Sequence, residues 1–122
     1  KQYEIYNKKL VRKAIIKRSN ELLKNKYQNN KFIIFPAHSL EDLQDESSQQ
    51  HNCVRTYAEK YAIGTCDIYF MRDVKKQKKS LVTVEVRNSE VVQSRTKGNY
   101  DPNEIQKQFL QEWEQNVLKG AA

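Results

Sequence analysis

The chain has 122 residues, of which 38% are hydrophobic and 30% are charged, and its formal net charge is +7. This length supports one domain with a modest core, and no apolar run approaches the ~20 residues that a membrane span needs. The excess of lysine and arginine predicts a polyanionic partner, most often nucleic acid. The composition therefore indicates a small basic globular domain with no membrane span in these residues.

The basic residues are concentrated at the N-terminus, where residues 1–31 hold ten Lys or Arg and two Glu. We predict that residues 1–122 form a single domain, which begins with a basic helix over 1–30. The sequence has no initiator Met, which indicates a fragment of a longer protein. Two cysteines without a secretory signal predict a reducing, cytoplasmic location.

Periodicity and breakers predict the elements in chain order. Apolar residues at helical spacing predict a first helix over 3–28, and the run Phe32-Ile33-Ile34-Phe35 predicts a short strand that Pro36 ends. Ser39 is a typical cap for a helix over 40–49. Further patterns predict a helix over 52–63, strands over 66–72, 80–87 and 90–96, and a last helix that ends near residue 118.

These elements predict an α+β fold. The expected sheet is small and antiparallel, with a three-stranded meander plus a short strand. Helices pack on it, and the expected order along the chain is α-β-α-α-β-β-β-α.

The pairing of the last two predicted strands decides which polar side chains meet. A two-residue turn at Asn88-Ser89 would place Glu85 opposite Val92 and leave the polar residues of the final strand on the valine face. A three-residue loop would turn each side chain of the final strand to the opposite face of the sheet, because side chains alternate along a strand. It would bring four polar residues to one face: Thr83, Glu85, Gln93 and Arg95. We favour the two-residue turn.

A catalytic hypothesis rests on His51 and Glu85. Histidine titrates near neutral pH, so His51 is a candidate acid or base, and Glu85 could orient it or act as the base. Arg72 and Arg95 could hold a phosphate through bidentate donors. The chain would then be an enzyme that acts on a phosphate-containing substrate in a His51/Glu85/Arg95 pocket. In the structural alternative, Glu85 pairs with an arginine and His51 caps a helix. The catalytic and the structural hypotheses both remain open.

A binding hypothesis rests on the basic loops. Lysines cluster between the predicted strands that end at 72 and begin at 80, and a second basic loop follows Arg95. The candidate nucleic-acid or phosphate ligands are Arg72, Lys75, Lys76, Lys78, Lys79, Gln93, Arg95, Lys97 and Asn99.

No cofactor and no metal site are predicted. His38, His51, Cys53 and Cys66 are possible ligands, but their spacing matches no common zinc pattern. Cys53 near a helix start could be a nucleophile, while a buried and inert cysteine is the commoner case.

The stretch from His51 to Gly64 is the most distinctive in the chain. Cys53, Tyr57 and Tyr61 recur at i, i+4 and i+8, which predicts one stripe of a helix, and Gly64 is a typical residue after a helix end. We interpret Cys53, Tyr57, Tyr61 and, in the sheet, Thr83 as motif residues that pack the domain.

This stretch resembles the signature of the PcfJ-like family, His-x-Cys-Val-x-x-Tyr-x-x-x-Tyr-x-x-Gly. Three further segments of the family pattern follow in order, and the likeness covers about residues 35–117. The segments are 68–72 (IYFMR), 82–86 (VTVEV) and 92–99 (VQSRTKGN).

The family takes its name from a relaxosome accessory protein of conjugative plasmids, with similar proteins on other mobile elements and phages. The resemblance implies an accessory nucleic-acid-associated module of a conjugation relaxosome-like complex. Its expected partners are DNA and a relaxase or other conjugation proteins.

Overall fold

Five antiparallel strands form a single sheet in the structure, a computed structural model that describes residues 2–52 and 54–120. The strands follow one another across the sheet in chain order, so each is hydrogen-bonded to its neighbour in sequence. Their bounds are β1 Tyr27–Gln28, β2 Phe32–Pro36, β3 Asp67–Asp73, β4 Val82–Arg87 and β5 Glu90–Arg95.

Over the described residues, four α-helices accompany the sheet: α1 Gln2–Leu22, α2 Leu40–Gln50, α3 Ala58–Ala62 and α4 Glu104–Trp113. Ser39 caps α2 by accepting a hydrogen bond from the backbone N–H of Asp42. Asn103 and Gln106 form a reciprocal capping box at the start of α4. In the described part of the chain, no helix has both the length and the apolar character needed to cross a membrane.

The prediction for the sheet was wrong. The observed sheet has five strands rather than a three-stranded meander plus a short strand. The element order begins α-β-β-α-α rather than α-β-α-α. Residues predicted as the end of the first helix form β1, which pairs with β2. The Asn29 side chain closes this hairpin by accepting hydrogen bonds from the backbone N–H groups of Lys31 and Phe32, at 2.8 and 2.7 Å. Asparagine favours such turns because its side chain bonds its own backbone.

One face of the sheet packs against α4. Tyr69 in β3 contacts the Trp113 ring edge-on, with ring centroids 4.8 Å apart. Asn25 joins the two, since its amide donates to Tyr69 Oη and its carbonyl accepts from Trp113 Nε1, both at 2.8 Å. Burial here raises the pKa of Tyr69 to about 12. Val82, Val84 and Val86 of β4 are buried in the same core, as their alternation predicted.

The β4–β5 hairpin turns at Asn88-Ser89, as predicted, and both residues have positive φ, 53° and 63°. Val86 pairs with Val91, but Glu85 then pairs with Gln93. Val92 is therefore an extra residue in a β-bulge, and the predicted pairing of Glu85 with Val92 was wrong. Because side chains alternate along a strand, this one extra residue exchanges the faces of the rest of β5.

Replacing Ser89 with glycine should stabilise the protein by about 1 kcal/mol, because a side chain is disfavoured at positive φ and glycine is not. The free energy of unfolding in urea measures this change. Ser94→Gly, in the regular part of β5, is the control and should destabilise the protein by roughly 0.5–1 kcal/mol. A loss of stability in both variants would contradict the turn geometry.

Candidate functional site

The bulge brings the polar residues of β4 and β5 to one face, where they line a cavity of about 140 Å³. Thr83 pairs with Arg95 and Glu85 with Gln93 across the two strands. Loop and turn residues complete the wall. We call this cavity the polar pocket, and its lining residues are Asn52, Tyr57, Ile68, Thr83, Glu85, Gln93, Arg95 and Asn99.

Among the described residues that line the polar pocket, Glu85 is the one carboxylate, and only 7% of the residue is exposed. Its Oε2 accepts a hydrogen bond from Arg87 Nε at 2.8 Å. Its Oε1 accepts none from the residues that the structure describes. The pocket therefore contains an anionic acceptor with unused capacity.

Arg95 lies at the rim of the polar pocket and is partly exposed. Its Nη1 donates to Asp101 Oδ1 at 3.0 Å and to the Ser94 carbonyl at 2.9 Å. Within the described chain, its Nε and Nη2 have no hydrogen-bond partner. These nitrogens leave donors available to a ligand.

The Glu46 carboxylate occupies the centre of the same sheet face, fully buried under α2. It forms an ion pair with Arg72 and accepts hydrogen bonds from Ser80 Oγ and Thr83 Oγ1, both at 2.6 Å. The Arg72 guanidinium also lies over the Phe70 ring, 4.8 Å from its centroid. Arg72 is thus buried and paired, and its guanidinium is not presented to a phosphate.

His51 lies outside the polar pocket. It ends α2 in the left-handed conformation, with φ 55° and ψ 48°, and it is exposed. Glu85 and Arg95 share the pocket, whereas His51 lines a separate groove. The three residues of the predicted catalytic pocket therefore do not share one cavity.

The motif tyrosines have different surroundings. Tyr61 is fully buried, and its hydroxyl donates to the Ala37 carbonyl at 2.7 Å, which makes it a core residue. Tyr57 is half-buried in the 3-10 turn before α3 and contributes to the polar pocket. Cys53 lies outside the described residues.

The possible metal ligands are dispersed over several surroundings. His38 stacks on Phe35, with ring centroids 5.5 Å apart, and lies 3.3 Å from Ser19 Oγ. Cys66 is buried in the core, and this burial raises the pKa of its thiol. Over residues 2–52 and 54–120, no group of three or more His, Cys, Asp or Glu is arranged to hold a metal ion.

A groove of about 660 Å³ lies beside the polar pocket. Lys79 and Lys97 contribute to its walls, and the loop that leads to Lys79 carries three more lysines. We call this groove and its five lysines the basic groove. The lysines are Lys75, Lys76, Lys78, Lys79 and Lys97, and other lining residues include His51, Ser80, Thr96 and Asn103.

The lysine loop has a defined backbone conformation. The Asp73 side chain accepts a hydrogen bond from the backbone N–H of Lys75 at 2.8 Å. The Gln49 side chain donates to the Lys78 carbonyl and accepts from the backbone N–H of Ser80. All five lysines are exposed, and none forms an ion pair with a residue in the described part of the chain. The loop therefore presents free ammonium groups.

Two important residues were not predicted. Glu46 lies at helical spacing from Leu43 and Gln50, on the buried stripe of α2. An acid on an otherwise buried stripe is a readable signal for a charged partner in the core. Asn52 stands within the distinctive motif and contacts Thr83 Oγ1 at 3.4 Å.

The family model for PcfJ-like proteins matches residues 1–110. The chain therefore belongs to the PcfJ-like family, which confirms the resemblance. The match extends to residue 1, so α1 lies within the family region rather than before it. The comparisons with curated proteins and with solved structures gave no match.

Glu46→Gln should lower the free energy of unfolding by about 3–5 kcal/mol, because it leaves the Arg72 charge buried without its counter-ion. Urea denaturation measures the loss. The double variant Glu46→Leu/Arg72→Met should be more stable than Glu46→Gln, since it removes both charges.

Glu41→Gln is the matched control for this carboxylate. Glu41 pairs with Arg12 on the surface, where both side chains are about half exposed. Its substitution should leave the free energy of unfolding nearly unchanged, because an exposed ion pair is screened by solvent. Equal losses for Glu41→Gln and Glu46→Gln would contradict the role given to the buried pair.

Proposed function

We propose that this chain is an accessory nucleic-acid-binding module of a mobile element's DNA-processing complex. It would act in the cytoplasm, with a relaxase or other conjugation proteins as partners. Family membership supports the mobile-element context, since the family is named for a relaxosome accessory protein of conjugative plasmids. The proposed binding surface is the basic groove.

The unpaired lysines of the basic groove are the observation that carries the proposal. Five arginines whose side chains the structure describes contrast with them. Arg12, Arg18, Arg72, Arg87 and Arg95 all pair with carboxylates. A lysine that has no counter-ion in the protein can contact a phosphate without first breaking an ion pair, and each such contact releases condensed counter-ions from the nucleic acid.

Neutral donors beside the lysines also support a phosphate-binding surface. Ser80, Thr96 and Asn103 line the groove together with Lys79 and Lys97. Hydroxyl and amide groups are common phosphate contacts, and they position a backbone without reading its sequence. We therefore expect binding through the groove to depend strongly on salt and weakly on sequence.

The test is fluorescence anisotropy of labelled single- and double-stranded DNA over a range of salt concentrations. If all five lysines contact phosphates, the slope of log K against log salt should be about −3.5 for single strands. Lys75→Gln/Lys76→Gln/Lys78→Gln/Lys79→Gln should make that slope shallower by about 3.

A variant of α1 gives the matched control. Lys8→Gln/Lys9→Gln/Lys13→Gln/Lys17→Gln removes the same charge from exposed positions on the helix. The proposal expects a smaller loss of affinity and a smaller change of slope than in the groove variant. Equal effects in the two variants would contradict the role given to the basic groove, because binding would then depend only on the net charge of the chain. The lack of salt-sensitive binding to any strand would overturn the proposal.

A further inference from the structure

The polar pocket contains several hydrogen-bonding groups that the protein itself does not use. Among the side chains that the structure describes, none forms a hydrogen bond with Glu85 Oε1, Tyr57 Oη or the side-chain amide of Gln93. Gln93 is exposed and Tyr57 is half-buried, and no fully buried side-chain polar atom of the described residues lacks a partner. The three groups therefore reach solvent at one cavity, where a ligand could accept or donate hydrogen bonds. At about 140 Å³, the pocket is smaller than the roughly 300–1,000 Å³ of sites for drug-sized molecules. Its ligand is therefore one small group.

The interior and the rim of the polar pocket carry groups of opposite charge. The nearly buried Glu85 supplies an anionic acceptor, and Ile68 and Tyr57 supply apolar and aromatic wall. At the rim, Arg95 supplies free cationic donors. This order fits a planar ring that carries N–H donors on its inner edge and acceptors on its outer edge.

We propose that the polar pocket binds a single guanine base. This inference rests on the proposed function, which supplies the strand that carries the base. Guanine is the one standard base with two adjacent donors on its Watson–Crick edge, N1–H and the N2 amino group, and a carboxylate can accept from both. Its O6 and N7 acceptors are the usual partners of an arginine. Adenine and cytosine would turn a ring acceptor towards Glu85, and thymine would turn carbonyls towards it.

The pocket and the basic groove are close enough to share one strand. His51 lines the groove and the next residue, Asn52, lines the pocket. Arg95 lines the pocket and Thr96 lines the groove, while the Gln50 amide between them donates to the Arg95 and Leu81 carbonyls. A strand whose phosphates contact Lys79 and Lys97 would thus present an unstacked base to the pocket. Such a base is available in single strands and loops.

The first experiment compares single-stranded dT tracts that carry one central dG, dA, dC or abasic site, by fluorescence anisotropy with the full chain. The dG strand should bind about tenfold more tightly than the others, in the range of a good bidentate base contact. Glu85→Gln replaces one of the two carboxylate oxygens with an N–H₂ donor. The side chain can then no longer accept from both N1–H and the N2 amino group, so the variant should lose this preference.

Glu90→Gln is the matched control, because Glu90 lies on the same hairpin, is exposed and pairs with Lys119 outside the pocket. It removes the same charge and should keep the preference for dG. Thermal unfolding of both variants checks that they are folded. Loss of the preference in both variants, or in neither, would overturn the inference.

A second measurement separates this inference from the proposed function. Guanosine and adenosine monophosphate are titrated into isotope-labelled protein, and amide shifts of Glu85 and Gln93 are followed by NMR. Saturable shifts with the guanine nucleotide alone support the pocket, even if no strand binds and the proposed function fails. Salt-sensitive binding of every strand with equal affinity, without these shifts, overturns the guanine site and leaves the proposed function standing.

Discussion

The buried carboxylate of Glu46 is the interaction on which the arrangement of the site depends. It joins α2 to β3 through Arg72 and to β4 through Thr83. A buried charge without these partners would be costly, so the helix can dock on the sheet only where they meet it. The docking then sets the end of α2, where His51 borders the basic groove and Asn52 borders the polar pocket.

The β-bulge at Val92 has an equally specific effect. Without the extra residue, the polar side chains of β5 would enter the core that the valines of β4 and α4 share. With it, Gln93 and Arg95 join Thr83 and Glu85 on the opposite face. A local irregularity of one residue thus separates an apolar core from a polar cavity, which is a recurring use of bulges near binding sites.

The chain uses its two kinds of basic residue differently. The arginines with described side chains pair with carboxylates. The planar guanidinium gives good two-point geometry, as in the pair of Arg18 with Asp67. Lysines remain exposed on α1 and around the basic groove. This division places the arginines named above in ion pairs of the fold and leaves the lysines of the basic groove without a counter-ion among the described residues.

Much of this protein follows from short-range patterns. The His51–Gly64 motif and the three segments that follow it in order identified the PcfJ-like family. The Ser39 cap marked the start of α2, and Asn88-Ser89 marked a hairpin turn. These features depend on residues close in the chain, whose chemistry can be read from the sequence.

Only the tertiary structure decided the rest. β1 exists because β2 offers it a partner, and the Val92 bulge exists because the polar residues beyond it must avoid the apolar core. The sequence offered His51 as an acid or base and Arg72 as a phosphate ligand, yet Arg72 is buried against Glu46 and His51 is exposed outside the polar pocket. Such outcomes depend on contacts between distant residues and on the cost of burying an unpaired charge, and neither is visible in a local pattern.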